Sequence, residues 1–229
     1  MARSKKIDVY LEVGQKRTFA GALDWPGWCR SGKDKESALQ ALFEYGPRYA
    51  RVVGASKLGF QSPEDVSAFT VVEQLKGNAT TEFGAPGLAP SMDSQPVNAD
   101  ELHDLEKILN ACWRAFDRNF KKASGKSLRT GPRGGGRQIE KIAQHLLESD
   151  GGYLSAVGWK LKLERGDDIQ QQLKETRDAI LSALRASARG EIPEKGPRGG
   201  TRWSARYFVR RIAWHTLDHA WEIEDRIEE

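Results

Sequence analysis

Three of the chain's four histidines stand on otherwise apolar helical stretches, where an imidazole needs a reason. His215 and His219 are four residues apart in Ile212-Ala-Trp-His-Thr-Leu-Asp-His-Ala-Trp-Glu-Ile223, so on a helix both rings leave the same side and can grip one metal ion. At about 100° per residue, Phe208, Ile212, Glu222 and Ile223 share that side. His145 has a comparable setting among Ile139, Ile142, Leu146, Ser149 and Tyr153. Three buried imidazoles are hard to satisfy with hydrogen bonds alone, and shared coordination of one ion solves the problem; the other solution is a polar network in the core. His145, His215 and His219 are therefore the expected metal ligands. Glu222, on the same stripe, is the expected catalytic group, either a base acting on metal-bound water, a fourth ligand or an acceptor for an imidazole N–H. A salt bridge to Arg226 is its plainer role. Glu148 is a weaker version of Glu222, Asp218 points off the stripe, and His103 belongs to the surface.

The elements that carry these residues follow from periodicity. Helical patterns cover about 99–123, 136–158, 167–189 and 202–228, the number and length a four-helix bundle requires. His145 lies about nine residues from the start of its helix and His219 about nine from the end of its own, which puts them at one depth in antiparallel packing; parallel packing matches His145 to His215 almost as well. Before the bundle, Lys6 to Gly14 and Thr18 to Ser31 favour strand, Asp34 to about Val53 favours helix with an interruption at Pro47, and Ala68 to Glu73 favours strand. The expected organisation is a small α+β domain at 1–83, a Gly, Pro and Ser-rich linker at 84–98, and an all-α four-helix bundle at 99–229.

Composition narrows the function classes. No apolar run approaches the roughly 20 residues that cross a bilayer, and Met1-Ala-Arg-Ser-Lys-Lys6 leads into a strand-like segment without a secretion-signal core, so a cytoplasmic protein with no membrane partner is expected. Cys29 and Cys112 are too far apart for a thiolate zinc knuckle, which leaves nitrogen and oxygen to hold any metal. The net charge of +4 hides two clusters: seven Lys or Arg and no acid from Arg118 to Arg137, and six and none from Lys195 to Arg211. Neither is interleaved with aromatics, so nucleic acid is a minor alternative partner. Both clusters contain nearly the same loop, Gly131-Pro-Arg-Gly-Gly-Gly-Arg137 and Gly196-Pro-Arg-Gly-Gly-Thr-Arg202. Together, Arg133, Arg137, Arg198 and Arg202 could hold one anion; apart, the loops are connectors.

Gln144-His145-Leu-Leu-Glu-Ser-Asp150 and His215-Thr-Leu-Asp-His219 give the C-terminal part, about 100–229, a resemblance to the DinB-like four-helix superfamily, which includes mycothiol-dependent and bacillithiol-dependent enzymes. The resemblance implies an up-down-down-up bundle with the two Gly-Pro-Arg-Gly-Gly loops at opposite ends, and a divalent metal with an open position held by His145, His215 and His219. Zinc, nickel, copper and iron all suit three imidazoles. The first 55 or so residues resemble the HicB-type antitoxin fold through Phe19-Ala-Gly-Ala22, Trp25-Pro-Gly-Trp-Cys-Arg-Ser-Gly32 and Lys35-Glu-Ser-Ala-Leu39. That resemblance implies a fold and not toxin neutralisation, because no DNA-binding segment accompanies it.

The leading expectation is a metal-dependent transferase or hydrolase whose ion activates water or a low-molecular-weight thiol, the thiol following from the resemblance alone. The alternative is a non-catalytic protein-interaction module with a structural metal site, in which Trp214 and Trp221 meet a protein partner, the other domain or a second copy in a homodimer.

Overall fold

Both faces of β1 (Ile7–Val13) are buried from Val9 to Glu12, which suits a strand at the interior of a sheet. The sheet runs β3-β2-β1-β4, with β2 at Thr18–Ala22, β3 at Cys29–Gly32 and β4 at Phe69–Lys76. β1 pairs antiparallel with β2 from Val9↔Ala22 to Val13↔Thr18, and parallel with β4 from Ile7↔Phe69, with a register shift between Val9 and Tyr10. A parallel neighbour needs a crossover, here supplied by α1 (Lys35–Glu44) and α2 (Gly46–Val53). The break between these helices falls at Tyr45, two residues before Pro47, which sits in the first turn of α2 where its missing N–H costs nothing. Trp28 stacks on Tyr49 with centroids 5.9 Å apart and donates from Nε1 to the Leu42 carbonyl at 2.8 Å. The Tyr49 hydroxyl donates to the Pro26 carbonyl at 2.9 Å, tying the helices to the turn before β3.

The computed structural model describes residues 6–130, 136–161 and 168–228. It divides into two units, Met1–Gln95 and Pro96–Glu229. Of the segment 84–98, read as the linker, residues 84–95 lie in the first unit, where buried and surface carboxylates bind the backbone. Glu12 is fully buried and accepts from the Gly87 N–H (2.9 Å), the Leu88 N–H (3.0 Å) and the Thr81 hydroxyl. Glu73 accepts from the Ser91 N–H at 2.8 Å and its hydroxyl at 2.6 Å. A short helix, α3 (Ala79–Phe83), capped by Asn78, leads into the segment. Gly and Pro suppress regular periodicity without preventing such anchoring.

The second unit holds α4 (Ala99–Ala123), α5 (Ile139–Val157), α6 (Ile169–Ala188) and α7 (Ala205–Arg226). Asn98 and Glu101 form a capping box on α4, and the side chains of Asp168 and Ser204 cap α6 and α7. Gln138 gives α5 no side-chain cap, and the helix starts at Ile139, later than its pattern suggests. α5 ends on Gly158 at φ +91°, where a Cβ would collide with the Arg202 guanidinium packed against it. The early turns of α4 and α7 are joined by Arg206 Nη2 to Glu101 Oε1 at 2.7 Å, and their late turns by Asn119 Nδ2 donating to the Ala220 carbonyl at 2.7 Å. The end of α5 meets the entry to α7, where the Trp203 N–H donates to the Ala156 carbonyl at 3.0 Å. Late α6 meets early α4 through Arg185 and Glu106 at 2.7 Å, while Arg177 holds Asp117 with both Nη atoms. Phe116, Ile142, Leu146, Leu173, Ala220 and Ile223 interlock in the core between the helices. Among the described residues no helix is long and apolar enough to cross a membrane.

Candidate metal centre

α7 presents His215 and His219 from adjacent turns, and α5 brings His145 against them. Nε2 of His215 lies 3.2 Å from Nε2 of His145 and 3.1 Å from Nε2 of His219. The three ligand atoms all lie within 4.8 Å of one another. Tetrahedral ligands about 2.0–2.1 Å from an ion are separated by about 3.3 Å, so two edges of the triangle already have coordination dimensions. His215 and His219 are buried, whereas His145 is half-buried, so the cluster reaches solvent on the α5 side.

The protonation pattern suits a donor set. Burial holds His215 well below the ordinary histidine range, and the charges of His219, His145, Arg211 and Arg137 add to the effect. Burial also lowers His145, helped by Arg137 and His219 and opposed by Glu148 and Glu222. Neutral imidazoles with lone pairs are what an ion needs. Nδ1 of His219 lies 2.7 Å from Oε2 of Glu222, so the proton of a neutral His219 belongs on Nδ1 and its Nε2 lone pair faces the other rings. Burial would raise the Glu222 carboxyl, but its bond to His219 and then that from Arg226 outweigh burial and keep it low. Arg226 donates from Nη1 to Glu222 Oε1 at 2.6 Å and from Nε to the Arg129 carbonyl at 2.8 Å, anchoring the relay in the backbone. Nδ1 of His215 is buried without a hydrogen-bond partner among the described residues. Hydrogen bonds alone serve the crowded Nε2 atoms poorly, so these atoms fit a divalent ion; an ion there would leave Nδ1 of His215 as it is.

The other expected residues separate from this cluster. Glu222 stands on the far ring nitrogen of His219 rather than beside the converging Nε2 atoms. Glu148 is exposed and accepts from Gln144 Nε2 at 3.1 Å, and His103 is exposed on α4. Trp214 and Trp221 are buried, and the Trp214 ring lies 5.8 Å from that of His215 at an interplanar angle of 21°. Gly136, the neighbour of Arg137, packs on Arg226 near the end of α7, while Arg202 packs on Gly158 near its start. A 22-residue helix is about 33 Å long, so those arginines do not share one anion; Arg133 lies outside the described residues.

Arg211 beside the histidines, and Asp150 elsewhere on α5, are not singled out by their local sequence. Arg211, one turn before His215, was counted only in a basic run, although its i−4 spacing placed it next to the stripe. Its Nη2 donates to the Tyr153 hydroxyl at 3.2 Å. Asp150 is buried in α5, and burial pushes its carboxyl up to about 7 despite the Arg177 charge. No family model, curated protein or solved structure matches the chain.

Proposed function

We propose that the second unit is a DinB-like metal-dependent enzyme, a thiol transferase or hydrolase, in which His145, His215 and His219 hold a divalent ion. The single observation that carries this reading is the convergence of three imidazole Nε2 atoms while Glu222 accepts the Nδ1 proton of His219. When bound, zinc, nickel, copper or iron would acidify a coordinated water or thiol and provide a nucleophile at neutral pH. Glu222 fixes the His219 tautomer, Arg226 holds Glu222, and the half-buried side of His145 gives a substrate its approach. An up-down-down-up bundle belongs to the same proposal. It is supported by the early-to-early and late-to-late contacts of α4 with α7, and by the reversed contacts of α5 with α7 and α6 with α4. For the first unit we propose a HicB-like fold without the antitoxin function, in keeping with three antiparallel strands, a helical crossover and a parallel fourth strand. Two free, buried cysteines suit a cytoplasmic setting.

A second reading, a non-catalytic module with a structural ion, draws on Val71, Val72 and Phe83, whose exposures of 37, 50 and 86% leave apolar surface for a protein partner or homodimer. Elemental analysis of the wild type and His219→Ala tests the centre. One ion per chain in the wild type and a loss in the variant are expected; stoichiometric metal in both would sink the triad. A thiol-adduct screen of the loaded protein then separates the readings, since failure with every common low-molecular-weight thiol favours the module over a transferase.

A further inference from the structure

The acids of α4 are occupied and most of its cations are not. From Glu101 onward every acid of the helix is engaged: Glu101 by Arg206, Asp104 by Lys107, Glu106 by Arg185 and Asp117 by Arg177. Arg114, Arg118, Lys121 and Lys122 are exposed, and none of them makes an ion pair or a side-chain hydrogen bond among the described residues, the acids of α6 and α7 included. At about 100° per residue the four fall within an arc of about 100°. Arg114, Arg118 and Lys122 follow one another along it at rises of about 6 Å. Like charges four residues apart repel, so the helix is less stable for carrying them. The helix dipole accounts for Lys121 and Lys122 in the last turn, but its effect does not reach back to Arg114 and Arg118. The aromatic residues between these cations turn the other way, since Trp113 and Phe116 are buried and Phe120 packs on the core. Among the described residues the exposed large apolar side chains are Val71, Val72 and Phe83, all in the first unit. The stripe therefore offers charge, with neither a ring on which a base could stack nor an apolar side chain to enter a lipid layer.

We infer that this face of α4 binds the phosphate backbone of a double-stranded nucleic acid without reading its sequence. A duplex carries one charge per about 1.7 Å of its axis, or about seven along the roughly 12 Å from Arg114 to Lys122, so each cation can meet a phosphate. The inference stands apart from the metal reading, to which α4 contributes no ligand.

Fluorescence anisotropy of labelled DNA and RNA duplexes of about 20 base pairs, titrated with the full chain at several salt concentrations, provides the test. Four phosphate contacts should make log affinity fall with log salt at a slope of about 3 to 4, alike for duplexes of unrelated sequence. Such binding to either duplex supports the inference. Arg114→Gln combined with Arg118→Gln should lower the slope by about 2 and weaken binding at least about tenfold at about 50 mM salt, with the wild-type melting temperature kept. Lys121→Gln combined with Lys122→Gln should act alike, and decides the matter if the arginine pair does not fold. Lys33→Gln combined with Lys174→Gln removes the same charge from exposed positions elsewhere and should leave the slope unchanged. Equal losses in the stripe and control pairs reduce the effect to net charge and overturn the inference, as does an unchanged slope in the stripe pairs. Tighter binding to the single strand, or to vesicles of phosphatidylserine and phosphatidylcholine, overturns it too, and so does the absence of duplex binding at about 50 mM salt.

Discussion

Asp150 makes the stability of this protein depend on pH in a direction opposite to that of a salt-bridged carboxylate. It is 4% exposed, its Oδ1 has no hydrogen-bond partner among the described residues, and burial raises its carboxyl from 3.8 to about 7. Below about pH 4 the group is protonated in both the folded and unfolded chain and has no effect on the balance. As pH rises from there to about 7, the unfolded chain releases the proton and the folded chain does not, so stability falls; beyond 7 both are ionised and the loss levels off. The gap between the two values, at about 1.4 kcal/mol per pH unit, amounts to about 4 kcal/mol. Asp150→Asn keeps the shape and removes the ionisation, so its advantage over the wild type should grow from near zero at about pH 4 to about 4 kcal/mol at about pH 8. Urea unfolding followed by far-UV circular dichroism, with metal removed by chelator, measures the difference. Any constant offset from the amide cancels in the pH dependence. A difference between variant and wild type that stays level across this range would refute the reasoning.

Glu222→Gln should lower metal affinity about 10- to 100-fold while still reaching one ion per chain at saturation, measured by competition with a chromophoric chelator; unchanged affinity would remove the orienting role given to Glu222. Burial pushes the Cys112 thiol far up, so neither it nor buried Cys29 should react with a thiol reagent in the native protein at about pH 8, and both should react in denaturant. Glu12→Ala strands the Gly87 and Leu88 N–H groups and should destabilise the first unit by about 2–4 kcal/mol. Limited proteolysis checks it, with faster cleavage near residues 84–90 expected and wild-type rates counting against the anchor.

The sequence made the helices of the second unit legible because their signals are local: Asn98 with Glu101 opens α4, Gly158 closes α5, and the 3.6-residue stripe on α7 carries the histidines. Their meeting with His145 was readable because three imidazoles on apolar faces share one energetic problem. What escaped depends on contacts distant in sequence. Glu12 reads as a polar interruption in a strand until a segment 75 residues later donates to it. Tyr153 was visible on its stripe and Arg211 in its basic run, but nothing local says that they meet 58 residues apart. Val71 and Val72 fall in the strand-favouring run Ala68 to Glu73, and their exposure accords with β4 being the last strand of the sheet.

The division of the donors between helices has a kinetic consequence. Two nitrogens ride on adjacent turns of α7 and the third comes from α5, 70 residues earlier in the chain. An ion held by all three staples two elements that must separate when the unit unfolds, whereas its assembled site does not exist until they have docked. Bound metal should therefore slow unfolding and leave the folding rate nearly unchanged, making the ion a latch on the finished structure rather than a guide to reaching it.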